Sequence, residues 1–290
     1  MKKASVDMPP GKWTEADDFI NIALLQRAKE GDITSQFQVG LFYFNGKHGF
    51  DDGNGPKSVW WLEQASALGC QKAKSALGRC YVRGFGVEKS YSKALTLFSE
   101  AAAFNDPTAL AGMGYLLMDD SNLEDGDGDP MVDYSSTKCD IVKDDKEAFR
   151  CLKLAADLGS DWGQSNLAHM YLNGRGTTQN EQIAIELCKR AASGGYYGAQ
   201  TTLGWCYVNG KGTQRDPVQA AFWYRMAAEQ GDKDAQNWLG WAYETGIGVK
   251  KDVKVAGNWY ARASSKGCKE ASKRKSFSPV FCTPAKEITL

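Results

Sequence analysis

The sequence predicts an all-α fold of antiparallel helix pairs with a 36-residue period. Three observations lead there. Gly159, Gly195, Gly231 and Gly267 stand 36 residues apart, and Gly69 and Asn105 keep the same step. A second ladder, Gly40, Gly78, Gly114, Ala168, Gly204 and Gly240, lies nine residues after successive markers that begin at Gly31. Between the ladders, small and apolar residues recur three and four apart, the period of one helix face.

The ladders divide the chain into six units, 32–69, 70–105, 106–159, 160–195, 196–231 and 232–267. Residues 1–31 are expected to be an N-terminal segment with a capping helix that Thr14 starts and that faces the first unit with Phe19, Leu24 and Ala28. Residues 268–290 are expected to be a C-terminal capping helix and a basic tail, because Lys273 and Arg274 replace apolar residues there, as a wetted outer face requires. In each unit a first helix is predicted from stripes such as Ala199, Leu203 and Tyr207, repeated as Ala235, Leu239 and Tyr243 and as Ala73, Leu77 and Tyr81. The second helix repeats Ala220, Trp223, Tyr224 and Ala227 as Ala256, Trp259, Tyr260 and Ala263. Its expected N-caps are Asn54, Ser90, Asp144, Asn180, Asp216 and Asp252, all residues whose side chains accept from orphan backbone N–H groups. The marker glycines suit the left-handed residue that ends a helix. The mid-helix glycines cost about 1 kcal/mol each relative to alanine, which predicts that another helix passes too close there for a side chain.

The pattern Ala-x₃-Leu-Gly-x₂-Tyr-x₂-Gly-x-Gly, then a short loop and Ala-x₂-Trp-Tyr-x₂-Ala-Ala, resembles the Sel1-like repeat family, relatives of tetratricopeptide repeats. It runs over residues 32–267 and is cleanest at 196–267. Unit 32–69 has Ser35 and Ser58 at small positions and an enlarged turn, and unit 106–159 lacks the Gly-x-Gly. The resemblance implies a right-handed α-solenoid whose first helices line a concave face. It also implies scaffold or adaptor work rather than catalysis.

The chemistry-bearing motifs favour the same reading. Gly84–Gly86, Gly174–Gly176, Gly210–Gly212 and Gly246–Gly248 each follow an amphipathic helix, whereas a dinucleotide fingerprint follows a strand and has a third glycine. They read as turns, in which glycine accepts positive φ. Ser-x-x-Lys occurs at Ser90–Lys93, Ser135–Lys138 and Ser272–Lys275 without the companion motifs of serine acylases. The eight cysteines have no Cys-x-x-Cys spacing and only His48 and His169 beside them, so no standard zinc site is expected. They read as free thiols. The acidic insertion near 119–143 has a calcium-loop start at 125–130, but Pro130 and Ser136 stand where the turn glycine and the bidentate glutamate belong. It reads as a solvated loop. Lysine plus arginine equals aspartate plus glutamate at 35 each, so there is no basic footprint for nucleic acid. No apolar run reaches membrane length, and no secretory leader is read at the start.

If first-helix positions 3, 6, 10, 13 and 14 face the groove, as in tetratricopeptide repeats, the candidate partner-binding residues are Lys72, Arg79, Arg83, Tyr115, Trp162, His169, Asn173, Trp205, Asn209 and Trp241. Aromatic area beside amides suits an extended peptide. Trp205 and Asn209 are the ones that the repeat does not require; packing between first helices is the competing role for Trp205 and Trp241. The expected function is a non-enzymatic scaffold for a protein or peptide partner, with no catalytic residue, metal or cofactor. The chain is expected to be a cytoplasmic monomer that engages neither nucleic acid nor membrane. A regulatory or weakly hydrolytic member, or a secreted effector of the same fold, stays open as an alternative.

Overall fold

The structure, a computed structural model, describes residues 22–45, 54–118 and 141–275. The residues expected to start the first capping helix, most of the enlarged turn after Asn45, all but the end of the acidic insertion and the tail beyond Lys275 lie outside the described residues. The described residues contain helices and no strand. The chain divides into two compact units, Met1–Gly194 and Gly195–Leu290, each with its own apolar core.

The first unit holds α1 (Ile22–Lys29), α2 (Ile33–Asn45), α3 (Gly55–Ala67), α4 (Gln71–Arg83), α5 (Tyr91–Ala102), α6 (Pro107–Leu117), α7 (Asp145–Asp157), α8 (Asp161–Asn173) and α9 (Glu181–Ser193). Each helix packs on the next. The first helices of successive repeats also approach one another, α2 on α4, α4 on α6 and α6 on α8. The second unit holds α10 (Tyr197–Asn209), α11 (Pro217–Glu229), α12 (Lys233–Thr245), α13 (Val253–Ser265) and α14 (Lys269–Lys275), again packed in sequence. Such short helices are marginal alone. Their stability comes from packing: Ala65, Ala101, Ala155 and Ala191 in the first unit, and Ala227 and Ala263 in the second, are all fully buried.

The second helices start as their sequences predict, with one exception. Ser90, Asp144, Asn180, Asp216 and Asp252 each accept a hydrogen bond from a backbone N–H of the first turn. Asn54 does not: its backbone is helical and its side chain makes no cap bond. The α3 start is organised otherwise. Pro56 lacks an N–H to satisfy, and Gly55 is pressed against the Gly86 backbone, where a Cβ would come within 2.6 Å of its nitrogen.

The connections between the two helices of a pair recur in detail. The cap residue donates its own backbone N–H to the tyrosine carbonyl of the preceding helix: Ser90 to Tyr81, Asn180 to Tyr171, Asp216 to Tyr207 and Asp252 to Tyr243, at 2.8–3.0 Å. Both glycines of each Gly-x-Gly have positive φ, and the first is the left-handed C-cap of its helix. The second has a further task. A Cβ on Gly176 would lie 2.1 Å from the Asp145 carbonyl oxygen, and one on Gly248 would lie 1.9 Å from that of Pro217. In these repeats the turn therefore seats its backbone on the N-terminus of the preceding repeat's second helix.

The mid-helix glycines answer to a ring or a leucine. A Cβ on Gly78 would meet the Phe98 ring at 2.6 Å, on Gly114 the Leu152 side chain at 2.5 Å, and on Gly204 and Gly240 the Tyr224 and Tyr260 rings at 2.7 Å. In the fourth unit the facing position is Cys188, a smaller side chain, and the glycine is replaced by Ala168; both are fully buried. The one unit with a Cβ at the glycine position thus has the smallest facing side chain, as close packing requires.

Candidate partner-binding surface

In the first unit the candidate residues divide by burial. Lys72 and Asn173 are exposed, Arg79, Arg83 and His169 are half-buried, and Tyr115 and Trp162 are buried. Trp162 packs on Tyr115 at 5.7 Å between ring centroids and on Phe98 at 6.3 Å. As folded, Tyr115 and Trp162 fill space between helices and offer a partner little area. Arg79 and Arg83 stand one turn apart on α4, both over the Phe44 ring, at 4.8 and 5.5 Å from its centroid. Cys80 lies beside them. Burial pushes its thiol up to about 12 although both arginines pull the other way, so it is an inert core residue. Desolvation and then Arg175 press the His169 pKa down to about 4, so its imidazole is neutral near pH 7.

In the second unit Trp205 is half-buried and Asn209 exposed, while Trp241 is buried. Trp241 packs edge-on against Trp238 and joins the cluster of Tyr260, Cys268 and Ala271. Trp205 is not part of the clusters around Tyr224 and Tyr260. Asn209 donates its side-chain amide to the Trp205 carbonyl at 2.9 Å, and in the first unit Asn173 does the same to His169 at 3.0 Å. One N–H of each amide thus serves its own helix, which leaves Oδ1 and the second N–H of the same group.

Position 6 has a use that sequence reasoning missed. Ser75 donates to the Asp106 carboxylate at 2.7 Å, and Thr201 donates to that of Asp232 at 3.0 Å. Each aspartate also caps the first helix of the next repeat. The signal was present as a hydroxyl followed 31 residues later by a cap aspartate. The Ser-x-x-Lys motifs resolve similarly. Ser90 is the N-cap that accepts from the Lys93 N–H, and Ser272 bonds to the Cys268 carbonyl and to Ser264; Ser135 lies outside the described residues. Among the described residues, no three His, Cys, Asp or Glu side chains converge as a metal site, the six cysteines are free, and no helix is long and apolar enough to cross a membrane.

The Sel1 repeat matches this chain six times, over residues 33–70, 71–103, 137–160, 163–196, 198–232 and 233–268. The chain belongs to the Sel1 repeat family. Solved structures agree. A Sel1 repeat protein from Oxalobacter formigenes aligns over 82% of this chain and 88% of its own length, with a TM-score of 0.60 at 24% identity, a likeness of fold alone. A protective antigen of uropathogenic Escherichia coli with the SLR fold aligns over 87% of this chain and 50% of its own, at 29% identity and a TM-score of 0.53. Among curated proteins, an Arabidopsis thaliana ERAD-associated E3 ubiquitin-protein ligase component, HRD3B, is 32% identical over 105 residues. That stretch is 36% of this chain and 16% of the relative, so this Sel1 repeat chain corresponds to a small part of that protein. Sel1 repeat proteins are generally protein-interaction scaffolds built from stacked helix pairs, and typically not catalysts.

Proposed function

We propose that this Sel1 repeat chain is a non-enzymatic adaptor that holds an extended protein segment against its first helices. One observation carries the proposal. Trp205 is only half-buried on α10, with the Asn209 amide one turn away. Packing has uses for Leu203, which is fully buried, and for Tyr207, which packs on the cluster around Tyr224, but it does not require a large ring at Trp205. An aromatic side chain beside an exposed amide provides contact area at low entropy and a point of backbone recognition. In the first unit, Lys72, Arg79, Arg83 and Asn173 supply positive charge and a second outward amide on the same class of helix. The curated relative acts within a ligase assembly by its name, which is compatible with adaptor work.

The test is an affinity pull-down with wild type and with a Trp205→Ala, Asn209→Ala variant, followed by titration with the segment that the captured partner contributes. The variant is expected to keep its unfolding midpoint within about 1 kcal/mol, as exposed positions do, and to bind at least about tenfold more weakly. A large loss of stability, or unchanged affinity, would overturn the reading.

A further inference from the structure

Helix α11 carries an apolar stripe that the fold does not use. Val218, Phe222 and Met226 stand four residues apart, share one face, and are 64%, 50% and 39% exposed. The other repeats act as an internal control. At the matching positions α5 has Ser92, Thr96 and Glu100, α9 has Gln182, Glu186 and Arg190, and α13 has Lys254, Asn258 and Arg262. The remaining two second helices have one large apolar side chain each at these positions, Trp60 in α3 and Leu154 in α7. The full run of three is found in α11 alone. Contiguous exposed apolar surface of this kind marks an interaction site.

We infer that this stripe is a self-association surface, where two copies of the chain pair α11 against α11, antiparallel, about a two-fold axis at Phe222. The charge pattern is what selects a second copy. In that arrangement residues equally far before and after Phe222 face each other, so Val218 of one copy meets Met226 of the other, and the two Phe222 rings meet at the axis. Arg215, just before the cap Asp216, then faces Glu229 at the end of the helix. Both are exposed. Glu229 lies roughly 10 Å from Phe222 along the helix axis, and Arg215 stands just beyond the other end of the helix, before the extended cap residue. Two Arg–Glu pairs thus close the ends of the apolar contact. Parallel pairing would set arginine on arginine and glutamate on glutamate, which is unfavourable. The antiparallel arrangement also opposes the two helix dipoles, and it is the isologous contact that closes a dimer without leading to fibres. One helix face buries less than the ~1,200 Å² of a standard stable interface, so the pairing is weak and depends on concentration. This departs from the monomer that the sequence led us to expect.

The experiment is sedimentation equilibrium of the full chain from micromolar to millimolar concentration. The mass is expected to rise from one 31.8 kDa chain toward two. Phe222→Glu is expected to raise the dissociation constant by at least about tenfold. Arg215→Glu and Glu229→Arg are each expected to weaken pairing several-fold, and the two together to restore it, because each reversed charge again meets its opposite. All three positions are exposed, and circular dichroism verifies that each variant stays folded. A chain that is monomeric at millimolar concentration, pairing that survives Phe222→Glu, or a double reversal no better than its single variants would each overturn the inference. The last outcome would point to a different partner for the same stripe.

Discussion

The contact between Gly204 and Tyr224 gives a prediction whose sign depends on its partner. Gly204→Ala removes a mid-helix glycine from α10, which by propensity alone should gain about 1 kcal/mol. The new Cβ, however, would lie 2.7 Å from two Tyr224 ring carbons and 3.1 Å from a third. Ordinary carbon contacts begin near ~3.5 Å, so the ring would have to retreat by about 1 Å. Tyr224 is among the largest fully buried side chains and is stacked on Trp238, so that retreat is an overpacking of ~2–3 kcal/mol. The net expectation is a loss of ~1–2 kcal/mol. In a Tyr224→Cys background, which imitates the Ala168–Cys188 pairing of the fourth repeat, the obstruction is gone and the same alanine should stabilise by about 1 kcal/mol. The coupling between the two sites is then ~2–3 kcal/mol. Urea unfolding of the four proteins, followed by circular dichroism, reads the cycle, and amide exchange in α10 and α11 locates it. If the alanine stabilises the parent, or has the same effect in both backgrounds, the close-approach explanation of the mid-helix glycines is wrong.

Three further outcomes are expected. Gly248→Ala should lose more than about 1–2 kcal/mol, since its φ is +74° and its Cβ would meet the Pro217 carbonyl, whereas Gly257→Ala, in open space on α13, should gain up to about 1 kcal/mol; equal melting temperatures would contradict this. Cys80 should resist iodoacetamide at pH 8 until the chain unfolds, because at a pKa of about 12 roughly one thiol in ten thousand is ionised; rapid labelling of the native protein by mass spectrometry would refute it. The folded pKa of His169 is lowered to about 4 from the usual 6.5, so its contribution is fully present above pH 6.5 and is lost as pH falls toward 4, where the unfolded chain binds the extra proton. That loss is at most about 3 kcal/mol, and less because solvent reaches part of the ring. His169→Gln should flatten stability against pH in that window, and an unchanged slope would remove His169 as its source.

Periodicity made most of the fold legible. The caps Ser90, Asp144, Asn180, Asp216 and Asp252 could be named from spacing because capping is local: a side chain reaches its own helix's first turn, and the residue type decides whether it does. Asn54 broke the rule because Gly55 and Pro56 beside it are set by a neighbouring turn. The positive φ of the Gly-x-Gly turns was equally local, but their seating on the previous repeat was not. The candidate surface was legible only as helix positions. Whether a ring at such a position faces solvent depends on what the next helices bring, which is why Tyr115, Trp162 and Trp241 turned inward while Trp205 did not.

By itself, then, the sequence determined the helix pairs, their starts and stops and the positions that must stay small, since each depends on residues within a turn or on a period that repeats along the chain. Tertiary structure decided which side chain each small residue accommodates, that Ser75 and Thr201 join successive repeats through Asp106 and Asp232, and that α11 keeps Val218, Phe222 and Met226 in solvent. Those outcomes turn on distances between residues 20 or more positions apart, and only the packed chain brings such residues together.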